Sequence, residues 1–292
     1  MKLCRFGKDQ LGLVEGDEVI DVSAALDVIP PQTWPIAMGD PLYAHLDAVR
    51  ARVGEVKAAG TRHALADVAL LSPVATPSKV MAAPVNYRKH FEIDVKTDPG
   101  VDQGVHIQQL EGVERPTEKF GLFLKAGSSV VGPSEGVRII RPDRRTDHEI
   151  ELCLVIGKTC ANVTRDEAMD YVAGYMLGLD MTLRGQEDRS FRKSPDSYTV
   201  FGPWFTSADE IADCGDLEIW LDVNGAHRQR TSTQALTVDV PDLIEIASNI
   251  YTLHPGDVIM TGTPEGVGPV KPGDVITAGG TGLGEITVKT RD

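Results

Sequence analysis

Asp147-His148-Glu149-Ile150-Glu151-Leu152-Cys153-Leu154-Val155-Ile156 sets acidic side chains two residues apart at the entrance of an apolar run. Leu152 to Ile156 has the length and composition of a short buried strand, and in a strand every second side chain faces the same way. Asp147, Glu149 and Glu151 are therefore expected on one side. Like charges this close repel, and a carboxylate taken from water loses hydration, so such a face calls for a cation or for hydrogen-bond donors. A metal ion meets that need. The alternative is an edge strand whose acids face water.

Working outward, Gly174-Tyr175-Met176-Leu177-Gly178-Leu179-Asp180 reads as a second apolar strand that delivers Asp180 at its end, just ahead of Thr182, Arg184, Gln186 and Glu187. Two glutamates from one strand and an aspartate from its neighbour offer oxygen ligands only. That donor set suits a hard cation, Mg²⁺ or Mn²⁺ with Ca²⁺ as a further option, whose other positions water or substrate oxygens fill. No Cys or His stands at a spacing that suits zinc. Asp147 shares the face either as a neighbour of the ligands or as a solvated acid.

The chain has 292 residues, 41% hydrophobic and 25% charged, which suits a globular protein with a large domain and a small one. With 29 basic and 43 acidic residues the net charge is −14, a field that repels nucleic acid and anionic membrane. Neither is an expected partner, and an anionic substrate needs local positive charge. Cys4, Cys153, Cys160 and Cys214 form no CxxC pair, which points to reduced thiols in a cytoplasmic protein. Met1 to Phe6 lacks an apolar leader, and no run has the length of a membrane span.

Residues 1–72 read as a small α/β domain. Leu3 to Phe6, Leu11 to Glu15 and Glu18 to Val22 are short strands in a meander, followed by helical stretches from Tyr43 to Ala64. Pro73 to Pro77 is a connector into a larger domain, 73–292. There, a polar segment of about 91–119 between apolar strands has the character of a mobile lid. Thr164-Arg165-Asp166-Glu167 is a capping-box pattern, expected to start a helix through Met169 and Val172. Asn224-Gly225 marks a hairpin after Leu217 to Val223, and Asp242 to Asn249 is helical. Many short strands with sparse helices predict an α+β fold, mainly β, and exclude a doubly wound sheet.

From about Lys79 onward the sequence resembles the fumarylacetoacetate hydrolase superfamily. The matching pieces are Ala83-Pro84-Val85-Asn86-Tyr87-Arg88-Lys89-His90, Phe123 to Pro133, Asp147-His148-Glu149-Ile150-Glu151, Gly174 to Asp180, Gly202-Pro203-Trp204, Pro255 to Ile259 and Thr261-Gly262-Thr263-Pro264. The resemblance implies a mixed β-sandwich roll, a homodimer, and a divalent cation in a carboxylate cluster that acts on small β-diketo or α-keto acids. It places the metal ligands at Glu149, Glu151 and Asp180, a lysine near the metal at Lys193, a substrate-binding arginine at Arg184 and a turn threonine at Thr263. Its implied chemistry is hydrolysis of the C–C bond of an acylpyruvate-type or 2,4-diketo acid in catabolism.

His90, directly after a strand and opening the lid, is the expected base. Many relatives carry a glutamate three positions after this histidine, where this chain has Ile93. Glu92 and Asp94 are then the acids able to orient His90, with Asp94 on its face if the segment is helical. Lys193 and the metal would stabilise enolate charge, while Thr263 and backbone N–H groups at Gly262 would hold substrate oxygens. Glu187 stands where some relatives place a substrate-binding glutamine.

Plainer readings compete with several of these roles. Arg184 could pair with Glu187 or Asp188 rather than with a substrate carboxylate, and Lys193 could belong to an ordinary basic loop. Lys125, a further substrate-binding candidate, has a structural role as its alternative; for Tyr87 packing is the safer reading. Met176, Leu177, Leu179, Trp204 and Trp220 read as core. Two other functions also fit: a keto-acid decarboxylase or isomerase on the same fold, of the oxaloacetate or 5-carboxymethyl-2-hydroxymuconate type, and a keto-acid-binding protein without catalysis.

Overall fold

The computed structural model describes residues 1–101 and 110–292. Part of the expected lid, residues 102–109, lies outside the described residues. The acidic stretch forms two strands, Thr146–His148 and Ile150–Ile156, with Glu149 at the break between them. Every residue of Ile150–Ile156 is buried. The run is continuous in apolar character because both of its faces are covered.

This strand sits inside a twelve-stranded sheet, antiparallel to Val172–Asp180 on one side and to Val258–Met260 on the other. Beyond Val172–Asp180 come Thr199–Ser207 and then Lys2–Phe6, so the N-terminal meander extends the same sheet. Beyond Val258–Met260 lie Val80–Ala82, in parallel, and Phe123–Lys125.

Alternation along the central strands divides the core in two. Ile150, Leu152 and Leu154 pack with Leu177 and Leu179 against a five-stranded sheet that contributes Ile219, Leu221, Ile276 and Val288. Cys153, Val155 and Met176 face the other way, onto Tyr43 and onto Val49 and Val53 of the helix Leu46–Val56. Burying a Leu or Ile side chain contributes roughly 1.5–3 kcal/mol, so both layers are substantial. The result is α+β and mainly β, as the pattern of short strands predicts.

Asn224 and Gly225 both take positive φ, 52° and 75°, and turn the hairpin between Glu218–Val223 and Ala226–Ser232 as expected. Two helix expectations are corrected. Thr164 and Glu167 do bond each other, but only a single 3₁₀ turn, Ala168–Tyr171, follows before the strand Val172–Asp180 begins. Val172 pairs with Ile156, and the ladder takes it from the helix. Likewise the helix Leu46–Val56 gives way to a 3₁₀ turn, and Arg62–Ala64 is a strand beside Glu18–Asp21 rather than helix.

The four cysteines are free, and Cys4, Cys153 and Cys160 are buried. Among the described residues no helix is long and apolar enough to cross a membrane.

Candidate active site

Strand register explains how three carboxylates meet. Glu151 lies opposite Gly178, and the Asp180 N–H donates to the Glu149 carbonyl at 2.8 Å, so Asp180 and Glu149 are also cross-strand neighbours. Side chains at 149, 151 and 180 then share one face. Their oxygens lie within 4.8 Å of one another, and all three residues are buried. Gly178 leaves room on that face, since a Cβ there would stand 2.4 Å from the Cys153 sulfur.

Positive charge surrounds the cluster unevenly. Lys193 Nζ donates to Glu149 at 2.6 Å, to Asp180 at 2.5 Å and to the Thr182 hydroxyl at 2.8 Å. Arg184 donates from Nε to Asp147 and from Nη2 to Glu149, both at 2.8 Å. Lys125 pairs with Asp180 and donates to the Lys193 carbonyl at 2.5 Å and the Tyr198 carbonyl at 3.1 Å. Among the described residues Glu151 has no such cation, and the one hydrogen bond it accepts is from the Gly262 N–H, at 2.6 Å.

Acidities follow from this asymmetry. Burial works to raise Glu149, but Lys193 and Arg184 overcome it and hold the carboxyl below its usual range. Burial and then the Asp180 charge push Glu151 well above that range. Burial lowers Lys125 despite Asp180 beside it. An oxygen-only triad with one member left without a cation fits a divalent metal: Glu149, Glu151 and Asp180 can hold Mg²⁺ or Mn²⁺.

The same cavity is lined by His90, Arg184, Arg192, Lys193 and Thr263 beside Glu149 and Glu151. His90 opens a π-helix, His90–Val95, and its Nδ1 lies 2.8 Å from Asp94 Oδ2. Asp94 also accepts the Gly266 N–H, at 3.2 and 3.0 Å, which ties the helix to the turn after Thr263. Val95, Val101 and Leu110 close this side with apolar surface.

The structure departs from the expected site at several residues. Glu92 points outward, 3.9 Å from Arg88, because the helix carries position 94 and not 92 back over His90. Glu187 pairs with both Nη atoms of Arg144 outside the cavity, at 2.9 Å each. Arg184 pairs with neither Glu187 nor Asp188; its partners are Asp147 and Glu149. Asp147 is held by Arg145 as well, and stands outside the triad. Lys125 is sealed behind Asp180, away from the cavity wall. Finally, the Gly262 N–H is committed to Glu151 rather than open to a substrate oxygen.

Gln229 was not singled out by its sequence, although it carries part of the site. Its Oε1 accepts from Ile150 N and faces His148 Nδ1, both at 3.1 Å, and its Nε2 donates to Thr263 Oγ1 and the Pro264 carbonyl, both at 2.9 Å. Because Thr263 Oγ1 is an acceptor here, its hydroxyl proton is free to donate elsewhere. The available signal was alternation: Gln229 pairs with Leu221, an inward position, and is fully buried.

Comparisons with known proteins bear on this geometry. A family model described as "Fumarylacetoacetate (FAA) hydrolase C-terminal" matches residues 79–291. The chain is 51% identical over 291 residues to a maleylpyruvate hydrolase of Aquipseudomonas alcaligenes, covering 100% of this chain and 99% of that protein. A crystal structure of maleylpyruvate hydrolase from Sphingobium sp. SYK-6, in complex with manganese(II) and pyruvate, superposes with a TM-score of 0.81 at 37% identity, covering 100% of this chain and 99% of that one. An oxaloacetate decarboxylase of Dictyostelium discoideum is 43% identical over 192 residues, 63% of this chain and 87% of that protein.

Proposed function

Since the chain belongs to the fumarylacetoacetate hydrolase family and is a metal-dependent hydrolase of the acylpyruvate class, we propose that it cleaves a maleylpyruvate-type substrate in the catabolism of aromatic compounds. The observation that carries this reading is the meeting, in one cavity, of His90 with Glu149, Glu151 and Lys193, with Asp94 behind the histidine and Asp180 completing the triad.

Glu149, Glu151 and Asp180 would hold the cation, which when bound supplies Lewis-acid polarisation of keto and carboxylate oxygens. Asp94 accepts the proton on His90 Nδ1, leaving Nε2 as the atom that takes a proton from water. The water oxygen then bonds to the acyl carbonyl carbon, and the bond from that carbon to the methylene breaks. Its electron pair leaves as the enolate of pyruvate, and the proton held at Nε2 returns to the methylene carbon. Net consumption is one water, giving a carboxylic acid and pyruvate. Lys193 Nζ stands beside the site of enolate formation, and Thr263 offers its hydroxyl proton to a substrate oxygen.

The test is loss of enol absorbance from maleylpyruvate, fumarylpyruvate and acetylpyruvate, with Mn²⁺ or Mg²⁺ and after chelation. Metal-dependent cleavage to pyruvate is expected. Its absence across the three, with CO₂ released from oxaloacetate instead, would transfer the site to decarboxylation. The chain is further proposed to act as a cytoplasmic homodimer, which sedimentation velocity and fractionation would check.

A further inference from the structure

Arg192 is a buried cation with no carboxylate to neutralise it among the described residues. It lies on the short helix Arg189–Lys193, is only 5% exposed, and lines the cavity that holds Glu149, Glu151 and Thr263. Its Nε donates to the Glu187 carbonyl at 2.7 Å and its Nη1 reaches the Leu183 carbonyl at 3.4 Å. Nη2 donates to no described residue. Arg184 and Lys193 differ: each contacts two carboxylates. Burial, then the nearby Arg184 charge, pushes Arg192 below its ordinary acidity range, as expected of a guanidinium that lacks an anion.

A buried charge left unpaired is strongly unfavourable, so a partner is expected when the site is filled. Arg192 and Lys193 are consecutive on the helix and therefore diverge by about 100° around its axis. Lys193 reaches Glu149, Asp180 and Thr182, whereas Arg192 reaches the bend between Leu183 and Glu187. A substrate anchored by its keto-acid end at the triad has its acyl end left to meet Arg192. The planar guanidinium, with Nη2 bonded to no described residue and Nη1 weakly held, presents the fork that binds a carboxylate by two parallel bonds.

We propose that Arg192 binds a second carboxylate on the substrate, at the far end of the acyl group, and so selects dicarboxylic acylpyruvates over monocarboxylic ones. The inference rests on the hydrolase reading above and names the residue that recognises the second carboxylate of a maleylpyruvate-type substrate, a contact that reading leaves unassigned. Arg192 is thereby a specificity-determining residue; it takes no part in proton transfer.

Arg192→Met removes the charge and the donors. Arg192→Gln, which keeps donors toward Leu183 and Glu187, takes its place if the first variant melts early. The readout is the ratio of kcat/KM for fumarylpyruvate to that for acetylpyruvate, in the Mn²⁺-loaded enzyme. A charge-assisted bond to a buried carboxylate predicts that this ratio falls by roughly 10- to 100-fold, whatever loss the two substrates share. An unchanged ratio in a folded variant overturns the proposal and makes Arg192 a tie for two loop carbonyls. Calorimetric titration with maleate, against acetate as control, gives a readout that needs no turnover. If the wild-type enzyme cleaves neither acylpyruvate, the hydrolase reading fails. The Arg192 site then stands if maleate binds wild type and not the variant, and falls if both bind alike or neither binds.

Discussion

At the scale of the residue, the division of labour around His90 is decided by which acid the helix returns to it. Asp94 Oδ2 at 2.8 Å from Nδ1 holds the ring in place, whereas Glu92 stands 52% exposed. His90→Ala is expected to reduce kcat by roughly 10²- to 10⁴-fold, the span of general base catalysis, with Asp94→Asn following in the same direction. Glu92→Gln should change kcat less than about twofold, as is usual for an exposed position. Equal losses in the Glu92 and Asp94 variants would undo the assignment. Lys193→Met removes an ammonium that touches both Glu149 and Asp180, and a drop of about 10²- to 10³-fold in kcat is expected if its charge serves the enolate. Steady-state kinetics on an acylpyruvate measures all four.

Elements bring these residues together, and at this scale much was legible beforehand. A period of two put Glu149 and Glu151 on one face, and an apolar run ending at Asp180 supplied the third acid, because buried strands obey simple geometry. What sequence pattern could not reveal depends on contacts between distant segments. Lys125 reads as a turn lysine until the sheet seals it against Asp180 from 55 positions away. Arg192 reads as one more charge in a basic loop until the cavity closes over it. Asp94 falls on the face of His90 only if the segment is helical, and Glu92 stayed a candidate because no local residue announces the π-winding of His90–Val95. Gln229 joins the hairpin, the ligand strand and the Thr263 turn by one amide. Gln229→Met would leave Ile150 N buried without its acceptor and the Pro264 carbonyl without its donor. A destabilisation of about 1–3 kcal/mol is expected from urea unfolding, together with a raised KM as Thr263 loses its orientation. A stable variant with unchanged KM would show that the amide is dispensable.

For the whole molecule, the sheet makes the first 72 residues part of the catalytic body. Lys2 and Leu3 pair with Thr206 and Phe205, and Tyr43 packs edge-on against Phe205 at 5.1 Å between ring centroids. A fragment beginning at residue 73 would bare that strand edge and half of the core beneath it. It is expected to be insoluble or unfolded, and a cooperative melt by circular dichroism would contradict this. A charge tie links the same parts: Arg50, on the helix Leu46–Val56, pairs with Asp209 after the strand Thr199–Ser207. Arg50 foremost, with Ser207, holds Asp209 down to about 2. A depressed carboxylate gives stability that is present above its unfolded value, about 3.9, and is lost as pH falls through its folded one. Wild type should therefore exceed Asp209→Asn in urea midpoint at pH 6, by the small margin of an exposed pair, with the gap closing toward pH 2. A gap that persists at pH 2 would rule out charge as its source.

All of these functions depend on Glu149, Glu151 and Asp180 sharing one cation. Titration of metal-free protein with Mn²⁺, followed by electron paramagnetic resonance or calorimetry and compared between wild type and Glu151→Gln, tests this most directly. Glu151 is the decisive member because it alone of the triad lacks a lysine or arginine partner among the described residues. A single Mn²⁺ bound by wild type and lost from a folded Glu151→Gln is the predicted result; equal binding by the two proteins would contradict the account.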